Sequence, residues 1–152
     1  MKLFQIEEPE GGPADPDAPG AAIGIDASGA TAEVAMSVGG NAIILFDREG
    51  YEQTLPVPGA ASAIGVWQEL FEGARLRAER ALARPVTHAV ILLAAVPDAR
   101  AAGVIVAAAE QSGLVLLRLV SAASELPGGA SPVLAAAILA EDLAPRPDPD
   151  FR

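Results

Sequence analysis

Residues 86–96 read VTHAVILLAAV, a run so uniformly apolar that neither of its faces could be left to water. Such a strand must be covered on both sides, which is typical of the parallel strands of α/β proteins. A second run, LVLLRLV at residues 114–120, has the same character. Between the two runs, Asp98 can cap a helix over residues 99–112 and Gly113 can close it. The pattern predicts two parallel strands joined by a crossover helix.

Three strand-like stretches precede this unit. They cover residues 21–26, 31–38 and 41–47, and the Gly-rich turns between them include GGN at 39–41, which favours a tight hairpin. A weaker extended piece, YEQTLPVP at 51–58, contains two prolines and is expected at an edge or in a loop. This part of the chain is therefore expected to form an antiparallel meander.

Two further helices complete the predicted order. Apolar residues recur at three- and four-residue spacing over residues 60–83, and Pro85 stops that helix. The last helix, 131–143, begins with Ser131 as its cap and Pro132 at its first position. Three antiparallel strands that lead into alternating helices and parallel strands predict an α/β fold with a mixed five-stranded sheet flanked by helices. This is the ribonuclease H-like fold, which actin-like ATPases also use.

The chain divides into one folded region and two tails. Residues 7–20 combine Pro, Gly and acidic residues without large apolar side chains, which cannot offset the entropy of ordering. The prediction is a disordered acidic tail at 1–20, one lobe at 21–143 and a second disordered tail at 144–152.

The charge balance limits the classes of partner. The net charge is −10 and Lys2 is the single lysine, whereas nucleic-acid binding depends on clustered basic residues. The absence of Cys excludes disulfides and thiolate metal sites. No apolar run reaches membrane-spanning length, and the first ten residues do not resemble a signal peptide. We therefore expect a cytoplasmic protein with neither a nucleic-acid nor a membrane partner.

Two segments resemble the DnaK-type seventy-kilodalton heat-shock chaperones. Residues 85–124 are similar to the family's VTHAVITVPAYF, helix, AGLEVLRIINEPTAAA, without a gap from Ala89 to Leu119. The segment GIDASGATAEVAM resembles the first phosphate motif, GIDLGTTNSCVAV, and keeps Gly24, Ile25 and Asp26. The resemblance implies a truncated, degenerate relative of the first lobe of the family's ATPase domain.

The same resemblance implies a nucleotide site. It assigns ATP or ADP binding to Gly24, Asp26, Ser28, Gly29 and Thr31, with Asp26 holding Mg²⁺. The alternative for Asp26 is that its carboxylate accepts hydrogen bonds from the N–H groups of the turn and so ends the strand. The alternative for residues 28–31 is an ordinary hairpin turn.

Departures from the family pattern argue against hydrolysis. The family's GTT becomes Ser28, Gly29 and Ala30, and the catalytic glutamate falls at Ala122. The phosphate-binding lysine has no counterpart, and the second phosphate loop is represented only by LPGGASP, without its Asp. We therefore assign no catalytic residue. The predicted function is a non-hydrolysing scaffold that binds another protein, or a second copy, through the face left uncovered by the missing lobe.

Three alternatives to this function remain open. One is a residual Mg-ATP-binding ATPase or switch that uses Asp26 and the 28–31 turn. Another is a metal-dependent nuclease of ribonuclease H-like fold, in which Asp98 approaches Asp26 instead of capping a helix. The third is a remnant without function.

The remaining candidates favour structural roles. His88, the sole histidine, has no sequence neighbours that would complete a triad or zinc site and is expected on a strand. Trp67 and Phe71 are expected in the core. Glu125 lies three positions from the lost glutamate, which would direct its side chain elsewhere.

Overall fold

The structure is a computed structural model that describes residues 20–46, 54–121 and 131–145. Five strands form one sheet in the order β3-β2-β1-β4-β5. Strand β1 pairs antiparallel with β2 and parallel with β4, β2 pairs antiparallel with β3, and β4 pairs parallel with β5. This arrangement confirms the predicted α/β fold, a mixed five-stranded sheet of ribonuclease H-like topology in which three antiparallel strands lead into parallel ones. In chain order the elements are β1 Ala21–Ala27, β2 Glu33–Val38, β3 Asn41–Leu45, α1 Ile64–Leu82, β4 Val86–Leu93, α2 Ala99–Gln111, β5 Val115–Ser121 and α3 Pro132–Leu143.

Two predicted boundaries were wrong by three residues or more, whereas the others lie within two residues of the observed ones. Helix α1 begins at Ile64, not at residue 60, because a turn closed by the Ser62 N–H and the Gly59 carbonyl (2.9 Å) precedes it. Strand β4 ends at Leu93, not at residue 96, because its last partners on the neighbouring strands are Ala27 and Ser121. The three residues after Leu93 are consequently exposed.

The predicted hairpin between β2 and β3 is present, and the last helix holds it. Gly39 and Gly40 have φ angles of 61° and 84°, a left-handed conformation that favours glycine. The Glu141 carboxylate accepts hydrogen bonds from the Ser37 hydroxyl (2.8 Å), the Gly40 N–H (3.0 Å) and the Gly39 N–H. Helix α3 is thereby fastened to the turn at one end of the sheet.

One face of the sheet is covered by α1 and α2. Trp67 and Phe71 are buried, as predicted, with ring centroids 6.3 Å apart and an interplanar angle of 32°. They belong to a core cluster with alternate residues of β1 and β4, such as Ile25 and Ile91, and with Ile105 of α2. This cluster is the largest part of the hydrophobic core, and it lies between the sheet and helices α1 and α2.

The other face is covered by α3 at very short range. Gly24 of β1 is buried, and a Cβ atom built on it would lie 2.4 Å from the Ala137 nitrogen and 2.6 Å from the Ala136 carbonyl carbon. The backbones of strand and helix therefore touch without an intervening side chain. Because α3 presents alanines at this contact, it closes over Val90 and Leu92 of β4, the residues that made the sequence apolar on both faces.

The regions predicted as disordered tails, 1–20 and 144–152, lie outside the described residues except for Gly20, Ala144 and Pro145. Among the described helices, none combines the length and apolarity needed to cross a membrane.

We predict that Gly24→Ala lowers the free energy of unfolding by about 3 kcal/mol, because the added methyl group must push α3 off β1. The matched control is Gly103→Ala in α2, where a Cβ would meet nothing within 4 Å. That change should raise stability by about 0.5 to 1 kcal/mol through helix propensity. Urea unfolding of both variants measures the difference, and equal effects would contradict the contact between α3 and β1.

Candidate functional site

The candidate site lies at the carboxyl edge, which we define as residues 26–31, 55–60 and 93–98. Strands β1 and β4 are parallel neighbours, so both end at this edge. After this edge, β1 turns back into β2 while β4 continues into α2 on one face of the sheet. Ligands of open α/β sheets bind in the crevice where connections diverge in this way.

Asp26 is half-buried at the end of β1 and is engaged by its own turn. Its Oδ1 atom accepts hydrogen bonds from the Ser28 N–H (2.9 Å) and from the Ser28 hydroxyl. This is the strand-ending interaction that the sequence offered as the alternative to a metal ligand. One oxygen of the carboxylate is thus committed to shaping the turn.

Four of the five predicted nucleotide-binding residues meet at this turn. Asp26 and Ser28 are half-buried, whereas Gly29 and Thr31 are exposed. Gly24 lies apart from them, because the backbone of α3 fills the space that a side chain at this position would occupy. The geometry gives Gly24 a packing role, and its assignment to nucleotide binding stays a prediction.

The far side of the turn is closed by the extended piece that contains the two prolines. The Ala32 N–H donates to the Leu55 carbonyl (2.8 Å), and the Val57 N–H donates to the Ala30 carbonyl (3.0 Å). Thr31 and Pro56 form an isolated bridge. These backbone bonds hold the turn in one shape.

Sequence reasoning missed Glu33, which is the register partner of Asp26 on β2. Directly opposite residues of an antiparallel pair project on the same face, so two acidic side chains stand side by side. Working out which residues of the predicted antiparallel strands face each other would have identified this pair. Within the described residues, no group of three or more His, Cys, Asp or Glu side chains could hold a metal ion.

Asp98 has the structural role that the sequence offered as the alternative to a nuclease site. It is the N-cap residue of α2, and its Oδ1 atom accepts a hydrogen bond from the Ala101 N–H (2.8 Å). This bond satisfies one of the free donors in the first turn of the helix. Ala122, which takes the position of the family's glutamate, and Glu125, three positions further on, lie outside the described part of the chain.

The carboxyl edge contains an apolar cavity of about 300 Å³. It lies between the turn after β1, the Val57–Ala60 segment and the end of β4, and the Trp67 indole forms part of its wall. Its lining has no ionisable side chain, and Ser28 contributes the one hydroxyl group. A neighbouring depression of about 450 Å³ shares Val96 and Pro97 with it and adds Asp98 and Arg100.

His88 lies away from this edge, near the start of β4. It is the register partner of Ala22 and Val115, which confirms its predicted place on a strand. Its Nδ1 atom is 2.7 Å from the Thr87 hydroxyl oxygen. Burial lowers the pKa of His88 because it disfavours the charged imidazolium.

Comparison with known proteins gives a distant structural likeness. No protein-family model matches the chain, and no curated protein matches it. The structure is similar to the ethanolamine utilization protein EutJ from Carboxydothermus hydrogenoformans, with 18% sequence identity and a TM-score of 0.44. The match covers 70% of this chain and 39% of EutJ. The more specific kinship to DnaK-type chaperones stays a prediction.

The lowered pKa of His88 predicts a pH dependence of stability. As pH falls through the ordinary histidine pKa of about 6.5, the unfolded chain takes up a proton that the folded chain resists, so stability decreases. The free energy of unfolding should fall more steeply between pH 7.5 and 5 in the native chain than in His88→Gln. Because the chain has one histidine, the difference between the two curves isolates this group. Parallel curves would contradict the assignment.

Proposed function

We propose that the chain is a non-hydrolysing protein-binding module built on an actin-like ATPase fold. The observation that carries the proposal is the apolar lining of the cavity at the carboxyl edge, the place where α/β folds bind ligands. An apolar side chain from a partner protein matches such a cavity, because buried anchors of this kind dominate binding energy at protein interfaces.

The chemistry of the edge supports a protein ligand over a phosphate. Phosphoryl transfer requires positive charge near the transferred group. The lining of the cavity has none, and Arg100 in the neighbouring depression is the nearest basic side chain among the lining residues. Asp26 already receives two hydrogen bonds from Ser28.

The rim of the cavity offers an anchor point. Val96 is 76% exposed, and it lines both the cavity and the neighbouring depression. An exposed apolar side chain beside an apolar cavity is the arrangement found at the centre of protein interfaces. We therefore place the contact at this edge, since α3 covers the sheet face opposite α1 and α2.

Mg-ATP binding is the second candidate function. It is favoured by the position of Asp26 at the end of a central strand, beside the exposed Gly29 and Thr31. In this alternative Asp26 would hold Mg²⁺ largely through water, as carboxylates at such sites do. The first proposal includes two further points, which the sequence resemblance supports. The chain is related to the DnaK-type chaperones, and its lobe is a degenerate form of theirs.

Calorimetric titration with Mg-ATP and Mg-ADP separates the two functions. The protein-binding module predicts no binding heat below millimolar nucleotide and no hydrolysis. Micromolar affinity that is lost in Asp26→Asn would overturn the module in favour of the nucleotide site.

The same proposal predicts a partner contact at Val96. Affinity capture from the native cell should retain a specific protein with the unaltered chain and lose it, by tenfold or more, with Val96→Asp. Val106→Asp on α2 is the matched control, because Val106 is also exposed but lies outside the cavity lining. Equal capture by both variants would remove the carboxyl edge from the interface.

A further inference from the structure

Among the described residues, nothing gives the outer edge of β3 the usual protection against strand pairing. It is the outermost strand on its side, and the described residues place no strand beyond it. Natural edge strands carry charged residues, Pro or bulges, whereas β3 reads NAIIL. Ile43 is 60% exposed, and Phe46, directly after the strand, is 76% exposed. An uncharged apolar edge of this kind favours the addition of another strand.

The exposed apolar residues lie on both faces of this edge. Side chains alternate along a strand, so Ile43 shares the face of Leu45, on the side of α1 and α2. Phe46 shares the face of Ile44, on the side of α3. A strand that covers both must therefore be apolar on both of its own faces.

One segment outside the described residues has this composition. Residues 1–6 read MKLFQI, in which Leu3 alternates with Phe4 and Ile6 on opposite faces of an extended chain. The segment contains neither Pro nor Gly. Its six residues are enough to pair along the five residues of β3.

Residues 1–6 are linked through residues 7–20 to the start of β1, which lies at the end of the sheet where β3 also begins. Gly20 leads directly into β1, and the register from Gly24–Ala35 to Val38–Asn41 places the β2–β3 hairpin at the same end. The outer edge of β3 is about 10 Å away, two strand spacings from β1. Thirteen residues, 7–19, separate the segment from Gly20, and a chain of that length can span up to roughly 43 Å. A tether of this length supplies a millimolar effective concentration.

We propose that residues 1–6 add to the outer edge of β3 as a sixth strand within the same chain. Its backbone N–H and C=O groups pair with those of Asn41–Leu45 that point away from β2. Leu3 lies on one face and Phe4 and Ile6 lie on the other, which covers the apolar surface around Ile43 and Phe46. The acidic residues 7–19 remain as the connection to Gly20.

The other segments outside the described residues fit this edge less well. Residues 47–53 leave β3 at its opposite end and must return to Pro56, which pairs with Thr31. Residues 122–130 follow β5, at the other side of the sheet. Residues 146–152 contain two prolines and a single large apolar side chain, Phe151.

Hydrogen exchange in the full chain tests the proposal. The amides of Asn41–Leu45 that point away from β2 should exchange at least tenfold faster in the double variant Phe4→Asp, Ile6→Asp than in the native chain. The matched control is Glu8→Gln, Glu10→Gln, which changes the tether and leaves the apolar segment intact. The β1 amides of Ile23 and Ile25 serve as the internal reference, and their exchange should be equal in all three proteins.

Sedimentation of the native chain distinguishes the occupants of the edge. Pairing within the chain is supported if the native chain is a monomer whose β3 amides exchange slowly, and if the double variant loses this slow exchange. Equal β3 exchange in the native chain and the double variant overturns the proposal. Protection that appears only as the chain dimerises also overturns it, in favour of a second copy on the edge.

Discussion

The contact between the backbone of α3 and the backbone of β1 is the constraint on which the structure depends. It requires a residue without a side chain at position 24, and it requires small residues on α3, whose Ala135, Ala136 and Ala137 are all buried. A short helix placed this close covers strands that are apolar on both faces. The twelve residues of α3 thus bury the second face of the sheet.

The same contact changes the meaning of the motif that resembles a phosphate loop. Gly24 is needed for packing whether or not a nucleotide binds, so its presence is no evidence for a nucleotide site. Beyond it, the turn after Asp26 keeps a fixed shape through Ser28 and through backbone bonds to residues 55 and 57. The carboxyl edge therefore has the position and the rigid turn expected of a ligand site in an α/β sheet, while its cavity presents apolar walls.

Much of this fold could be predicted from local sequence patterns. The change in apolar periodicity located all eight elements, and Gly39, Asp98 and Gly113 marked the turns and caps that the structure contains. The features that were missed depend on contacts between distant residues. Glu141 lies more than 100 positions from the hairpin it holds, and Glu33 faces Asp26 only because of the strand register. The cavity likewise draws its walls from several separate segments, which no local pattern brings together.

Native-state hydrogen exchange of α3 tests the central role of this helix most directly. If the sheet cannot stay folded without α3, the amides of Ala137–Ala140 exchange only through global unfolding. Their opening free energy should then equal that of the β1 amides of Ile23 and Ile25, within ~0.5 kcal/mol, and respond equally to denaturant. If α3 instead opens at a much lower free energy while β1 stays protected, the sheet does not depend on the helix and the account is contradicted.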